Sequence, residues 1–376
     1  KYPLRFDIRK AFNDDETHLP VVPSLPNLLR QAGYATGHVG KWHLGGLHLK
    51  HARDRAHAIP GPHEHGFDHY LCQNEEQPLR GRMGAERTLY RRGGTCLLRD
   101  DQPVTQDDPD YGNHFTSIIG NEALRLIRRF HSRRQPFFLN VWFLDPHAPY
   151  EPAPEPFWSQ AEAPGITHDQ RCARSMIAHM DHQCGRIFAL LDELGLRDNT
   201  LVVFTSDNGG AWEANIGPYR GGKTDLHEGG LRVPGILCWP ARLRQPAVED
   251  RVAQHVDLLP TLCAAAGVKA PTGIDGVSLL DKAPKERTLF WQIDHYARLQ
   301  RHYEKPKPHA TEALRRGRWK LLGRDGVPVA LYDLETDPLE GTNQLEAKPA
   351  VAASLSAVTR GILQAPRDRR GQGVSP

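Results

Sequence analysis

The chain has 376 residues, 39% hydrophobic and 25% charged, with a formal charge of +3. That length suits one large domain with a smaller one, or two domains; no apolar run reaches a membrane span, and the charge is too small to argue for nucleic acid. Six cysteines, Cys72, Cys96, Cys172, Cys184, Cys238 and Cys263, stand without a close C-x-x-C pair, which argues against a zinc cluster and a dense disulfide scaffold.

Lys1-Tyr2-Pro3 is no secretory signal, having neither an initiator methionine nor an apolar stretch behind it. Ser24, Leu25, Pro26, Leu28, Leu29 and Gly33 read as a short helix with a capping residue, an apolar face and a glycine stop. A strand from Tyr34 to Val39 follows and runs into Gly40-Lys41-Trp42-His43-Leu44-Gly45. From about Gly46 to Asp110 the sequence is loop-rich, the kind of stretch that is often functional surface. Phe115, Ile118, Ile119, Leu126, Ile127 and Phe130 recur at helical spacing. After them an apolar run, Phe137 to Leu144, ends in Asp145-Pro146-His147-Ala148-Pro149. A second long helix carries Met176, Met180, Cys184, Ile187, Phe188, Leu191 and Leu194, and a short run, Leu201 to Thr205, ends in Ser206-Asp207-Asn208-Gly209-Gly210. Glu228 to Pro234 reads as a turn entering a strand at Gly235–Trp239. Strand and helix alternation with unbroken apolar strands predicts an α/β fold with a largely parallel sheet covered on both faces. Past about Pro284 the runs Thr288–Ile293, Arg318–Leu322 and Val329–Leu334 predict a small antiparallel sheet. Residues 349–363 add a terminal helix, and 366–376 read as a disordered tail. The domain division expected is 1–283 and 284–365.

In such sheets ligands bind beyond the carboxyl ends of the strands. Three strand ends here deliver Lys41 and His43, then His147, then Asp207 and Asn208. Lys41 and His43, two apart in extended backbone, point to one side and can converge on an anion. Asp207 and Asn208 are hard oxygen donors suited to calcium or magnesium, although Asp-Asn-Gly-Gly is also good turn chemistry. Arg220-Gly221-Gly222-Lys223 sets cations among glycines, which a basic surface turn would also do. Together these groups describe a site for a tetrahedral oxyanion ester, with cations on the non-bridging oxygens and a histidine to protonate the leaving alcohol. The sequence offers no convincing nucleophile: Cys238 and Cys263 read as core.

The same residues carry a resemblance. Gly33-Tyr34-Ala35-Thr36 with Gly40-Lys41-Trp42-His43-Leu44-Gly45 resembles a signature of the formylglycine-dependent sulfatases. So do Asp145-Pro146-His147-Ala148-Pro149-Tyr150, Phe204-Thr205-Ser206-Asp207-Asn208-Gly209, and Gly221-Gly222-Lys223 with Glu228 to Pro234. Arg318-Trp319-Lys320-Leu321 and Leu331 to Glu335 resemble that family's C-terminal sheet. The arylsulfatase and N-acetylgalactosamine-6-sulfatase-like branch is the most similar.

The resemblance implies an alkaline-phosphatase-like fold and hydrolysis of sugar or aryl sulfate monoesters. It implies Asp207 and Asn208 as calcium ligands, with Lys41 and His43 on the formylglycine. His147 and Lys223 would bind sulfate, His147 being the proton donor. The family's nucleophile is a formylglycine made by a maturation enzyme from the cysteine or serine of a C/S-x-P-x-R motif. Lys1-Tyr2-Pro3 resembles the end of the segment following that motif, so the nucleophile, its arginine and two aspartate metal ligands are expected upstream of Lys1. An exported, periplasmic or lysosomal location is implied as well. Two other readings stand beside this one. The chain could be a non-catalytic truncated relative that binds an anion or a partner, or a phosphoryl or phosphonate ester hydrolase of the related superfamily.

Overall fold

A parallel strand needs neighbours on both edges and cover on both faces, and the run after Gly33 obtains them. The computed structural model describes residues 23–42, 44, 60–73, 97–148, 150–211, 217–243, 246–282, 284, 286–293 and 310–365. Helix α1, Leu25–Gln31, is capped by the Ser24 hydroxyl, which accepts from the Asn27 amide at 3.3 Å. Strand β1, Ala35–Gly40, is buried along its whole length. Strand β2, His69–Gln73, lies parallel to it on one side. Strands β3, Leu97–Arg99, and β4, Gln102–Pro103, extend that side with antiparallel pairs. On the other side β5, Phe137–Trp142, is again parallel, giving the order β4-β3-β2-β1-β5.

Helix α2, Phe115–Ser132, lays Phe115, Ile118, Ile119, Leu126 and Phe130 on this sheet against Val39, Leu71 and Leu97. After a short helix α3, Phe157–Gln160, the long helix α4, His168–Glu193, starts from a capping box between Thr167 and Gln170. It packs on α2 through Ile127, Leu190 and Leu191. Strand β6, Val202–Thr205, is followed by a single-turn helix α5, Glu228–Leu231, and by β7, Gly235–Cys238, which pairs antiparallel with β6. Helix α6, Leu258–Ala265, packs beside α1.

The C-terminal sheet is wholly antiparallel. It contains β8, Thr288–Gln292, β9, Glu312–Arg316, β10, Trp319–Arg324, and β11, Val327–Asp333, in the order β11-β10-β9-β8. One face takes helix α7, Pro349–Gln364, on Phe290, Leu314, Leu321 and Leu331. The other face, with Ala313, Leu322, Ala330 and Tyr332, closes on Leu226 and Leu231.

The architecture is therefore the expected α/β one, with a small antiparallel sheet after it. The main sheet is mixed: its parallel part is β2-β1-β5, and the antiparallel strands lie to the outside. Three short strands fall within the stretch read as loop, because each is placed by pairing on its neighbour, β2 on β1, β3 on β2 and β4 on β3, and not by a long apolar run. The segment read as a turn before β7 is the helix α5. Cover on both faces holds for β1 and fails further along. Trp142, Phe204 and Ile236 are 42%, 38% and 55% exposed, and neither β5's far edge nor β6's far edge has a strand partner among the described residues. Cys263 is core, whereas Cys238 on the open β7 is only half-buried. His43, Cys96, Lys1–Pro3 and the tail from 366 lie outside the described residues.

Gly40 shows how tightly β1 is delivered to its loop. Its φ is +109°, and a Cβ there would stand 2.0 Å from the Trp142 carbonyl oxygen, which the Lys41 amide already engages at 2.9 Å. Gly40→Ala is expected to cost about 2 kcal/mol or more of stability, read as a lower denaturation midpoint at unchanged slope. An unchanged midpoint would show that the Gly40 backbone is not under this constraint.

Candidate active site

The segments that leave β1, β5 and β6 meet at one end of the sheets. Lys41 follows β1, His147 stands in the turn after β5, and Asp207 and Asn208 stand in the turn after β6. The Lys41 ammonium is 3.7 Å from Asp207 Oδ2. From the fourth segment, between β6 and α5, Lys223 Nζ donates to His147 Nε2 at 3.0 Å.

Backbone contacts hold these turns together. The Lys223 amide donates to Gly210 O at 2.8 Å, and the Gly209 amide to Gly230 O at 3.0 Å. Gly209 has no room for a side chain, since a Cβ would lie 1.9 Å from Gly229 O. Tyr150 OH donates to Ala211 O at 3.3 Å, tying the β5 turn to the β6 turn, and Thr116 on α2 donates to Asp145. Burial pushes the Asp145 carboxyl up to about 6.

The imidazole of His147 donates from Nδ1 to Ala148 O at 2.5 Å, which leaves Nε2 to accept from Lys223. Its pKa is lowered to about 4, first by burial and then by the Lys223 and Lys41 charges. Lys223 is lowered too, by burial and by Lys41, with Asp207 opposing. The resting site is therefore a neutral imidazole among cations, each of which an anion would relieve.

Of the residues expected at the site, Lys41, His147, Lys223 and Asp207 come together, and Asn208 follows Asp207 in the same turn; His43 is outside the described residues. His38 was not anticipated. It sits fully buried in β1 among Trp42, Phe67 and Trp142, and its Nε2 donates to Lys41 O at 3.1 Å. Burial lowers it to about 3, so it holds the Lys41 backbone as a neutral group. A titratable ring inside a short strand was the signal.

The sequence profile of the Sulfatase family matches residues 12–268, more than half of the chain. The chain belongs to the sulfatase family. A second profile, described as N-sulphoglucosamine sulphohydrolase, C-terminal, matches residues 222–364. N-acetylgalactosamine-6-sulfatase of Mus musculus is 32% identical over 72% of this chain and 51% of its own length. N-acetylgalactosamine-6-O-sulfatase of Bacteroides thetaiotaomicron is 27% identical over 90% of this chain and 76% of its own. A crystal structure of i-CgsB with a neocarrahexaose superposes with a TM-score of 0.79 at 22% identity, covering 98% of this chain and 81% of that one. The chain spans about half the length of the mammalian N-acetylgalactosamine-6-sulfatases it matches.

Membership in the sulfatase family implies a metal ion and a formylglycine. Asp207 and Asn208 are adjacent hard oxygen donors, and the Asp207 side chain is 67% exposed, so their chemistry fits a calcium or magnesium ion. They fill only part of a shell of about six to eight oxygens. Among the described residues no three acidic, histidine or cysteine side chains are grouped to hold a metal. No helix there is long and apolar enough to cross a membrane.

His147 titrates below its ordinary 6.5, so its contribution to stability is present above that pH and is lost as pH falls toward about 4. Lys223→Met removes one cause of the depression. The imidazole midpoint, followed by NMR, is expected to move up from about 4 toward the ordinary value without reaching it, because burial remains. A midpoint that stays put would contradict the contact between Lys223 and His147.

Proposed function

We propose that the protein hydrolyses sulfate monoesters of sugars, holding the sulfate group among Lys41, His147 and Lys223. The Lys223–His147 contact carries this reading: an ammonium and an imidazole at 3.0 Å, with Lys41 close enough to depress both, form a site built for an oxyanion. Sulfate ester hydrolysis breaks the bond between sulfur and the alcohol oxygen, and negative charge grows on that oxygen. Cations on the non-bridging oxygens stabilise the arrangement, in a setting where water screens them little.

A bound sulfate takes over the Lys223 N–H and raises the imidazole pKa. His147 can then hold a proton at Nε2 for the leaving oxygen. Calcium at Asp207 and Asn208 would add further positive charge, and a formylglycine would supply the nucleophile. His43 would contact that group in the family arrangement. The sugar assignment rests on the two N-acetylgalactosamine-6-sulfatases above, at 32% and 27% identity. An exported, periplasmic or lysosomal location and a formylglycine-generating partner belong to the same reading.

In the mature native protein, Lys41→Met and Lys223→Met are each expected to lower kcat/KM for a sulfated N-acetylgalactosamine by about 10²–10³. A parallel assay with the corresponding phosphate ester is expected to show far slower turnover. Near-wild-type sulfate release in both variants would overturn the residue roles. Faster phosphate release would favour a phosphoryl ester hydrolase.

A further inference from the structure

A lysine buried without any exposure needs partners, and Lys320 on β10 has two. Its Nζ is 2.8 Å from Glu228 Oε1 and 2.9 Å from Glu340 Oε1, and all three residues are 5% exposed or less. Glu340 also accepts from the Glu228 amide through Oε2, at 2.6 Å. Arg220 completes the join: its Nη1 donates to Tyr332 OH at 3.1 Å and to Glu340 O at 3.2 Å. Arg315 of β9 stands 4.0 Å from Glu228.

These contacts lock the C-terminal sheet to the two ends of the segment that carries Lys223. Glu228 begins α5 at one end, and Arg220 stands at the other. The Gly229 amide donates to Arg220 O at 2.7 Å, closing the segment on itself. A Cβ on Gly230 would lie 2.1 Å from Asp225 O, so the closure has no slack. The same closed loop contacts the β6 turn through Gly209 and Gly210. Removing one member of a buried ion group leaves an uncompensated charge, which is costly enough to shift the backbone around it.

We infer that Lys320, paired with Glu228 and Glu340, is a positioning residue for Lys223: the C-terminal sheet sets where the sulfate-binding ammonium stands. The inference rests on the anion-site reading above. Lys320 touches no substrate and acts through the loop from Arg220 to Leu231. A displacement of about 1 Å in a positioning group can cost about 10²-fold in a bound geometry.

The test is a double-mutant cycle read by calorimetric binding of inorganic sulfate to the native protein, well below each variant's unfolding temperature. Lys320→Met is expected to weaken sulfate binding about tenfold or more. In a Lys223→Met background the same change is expected to cost little, because Lys320 acts only through Lys223. A merely structural role would leave the affinity of the folded variant unmoved, or lower it equally in both backgrounds. Either result overturns the inference. If Lys320→Met does not fold, Lys320→Met with Glu340→Gln removes one charge of each sign, and the same loss is expected from it. Wild-type affinity in that folded double variant overturns the inference as well. A wild-type protein that binds no sulfate overturns the anion-site reading itself, and the inference with it.

Discussion

Two ammonium groups held beside one neutral imidazole set the terms for the rest of this molecule. Burial lowers both His147 and Lys223, and charge adds to it: Lys223 and Lys41 lower His147 further, and Lys41 lowers Lys223. Such an arrangement is unfavourable on its own, since like charges in a half-buried space repel through little screening. Among the described residues the carboxylate that opposes it is Asp207, itself largely exposed. The strain has to be carried by the fold, and an anion of the right shape relieves it.

The carrying is done by backbone more than by side chains. Gly40 turns β1 against the Trp142 carbonyl, and Gly209 lies against Gly229, at separations that exclude any Cβ. The first contact lies within the main sheet, between β1 and β5, and the second ties the turn after β6 to the helix α5 that precedes β7. The C-terminal sheet supplies the remaining abutment, with one face on α7 and the other on Leu226 and Leu231 beside the Lys223 loop. The Lys320 ion group sits at that junction, where losing one member would leave a buried charge uncompensated.

Much of this was legible in the sequence. The runs before Asp145 and Asp207 are strands because each is short, largely apolar and followed by turn residues, and the run before Lys41 is a short strand that ends at Gly40. The ends of parallel strands are where ligands bind. The helices over Phe115 and Met176 followed from period alone. What the sequence hid was contact across long separation. Lys223 and His147 are 76 positions apart, and no local pattern announces their hydrogen bond. Lys320 sits in a strand whose alternation would let it face water; it is buried because Glu228 and Glu340 lie opposite. His38 looked like one more strand residue until its aromatic box was seen. The strands β2, β3 and β4 were missed because each is short and is placed by pairing on its neighbour, not by its own composition.

The central proposal is that the sulfate group is gripped between Lys41, Lys223 and His147. A crystal structure of the native protein with a sulfated N-acetylgalactosamine tests it most directly. The account predicts sulfate oxygens within hydrogen-bond distance of both ammonium groups and of His147 Nε2, with the Lys223–His147 contact replaced. A sulfate bound elsewhere, with that contact intact, would contradict it.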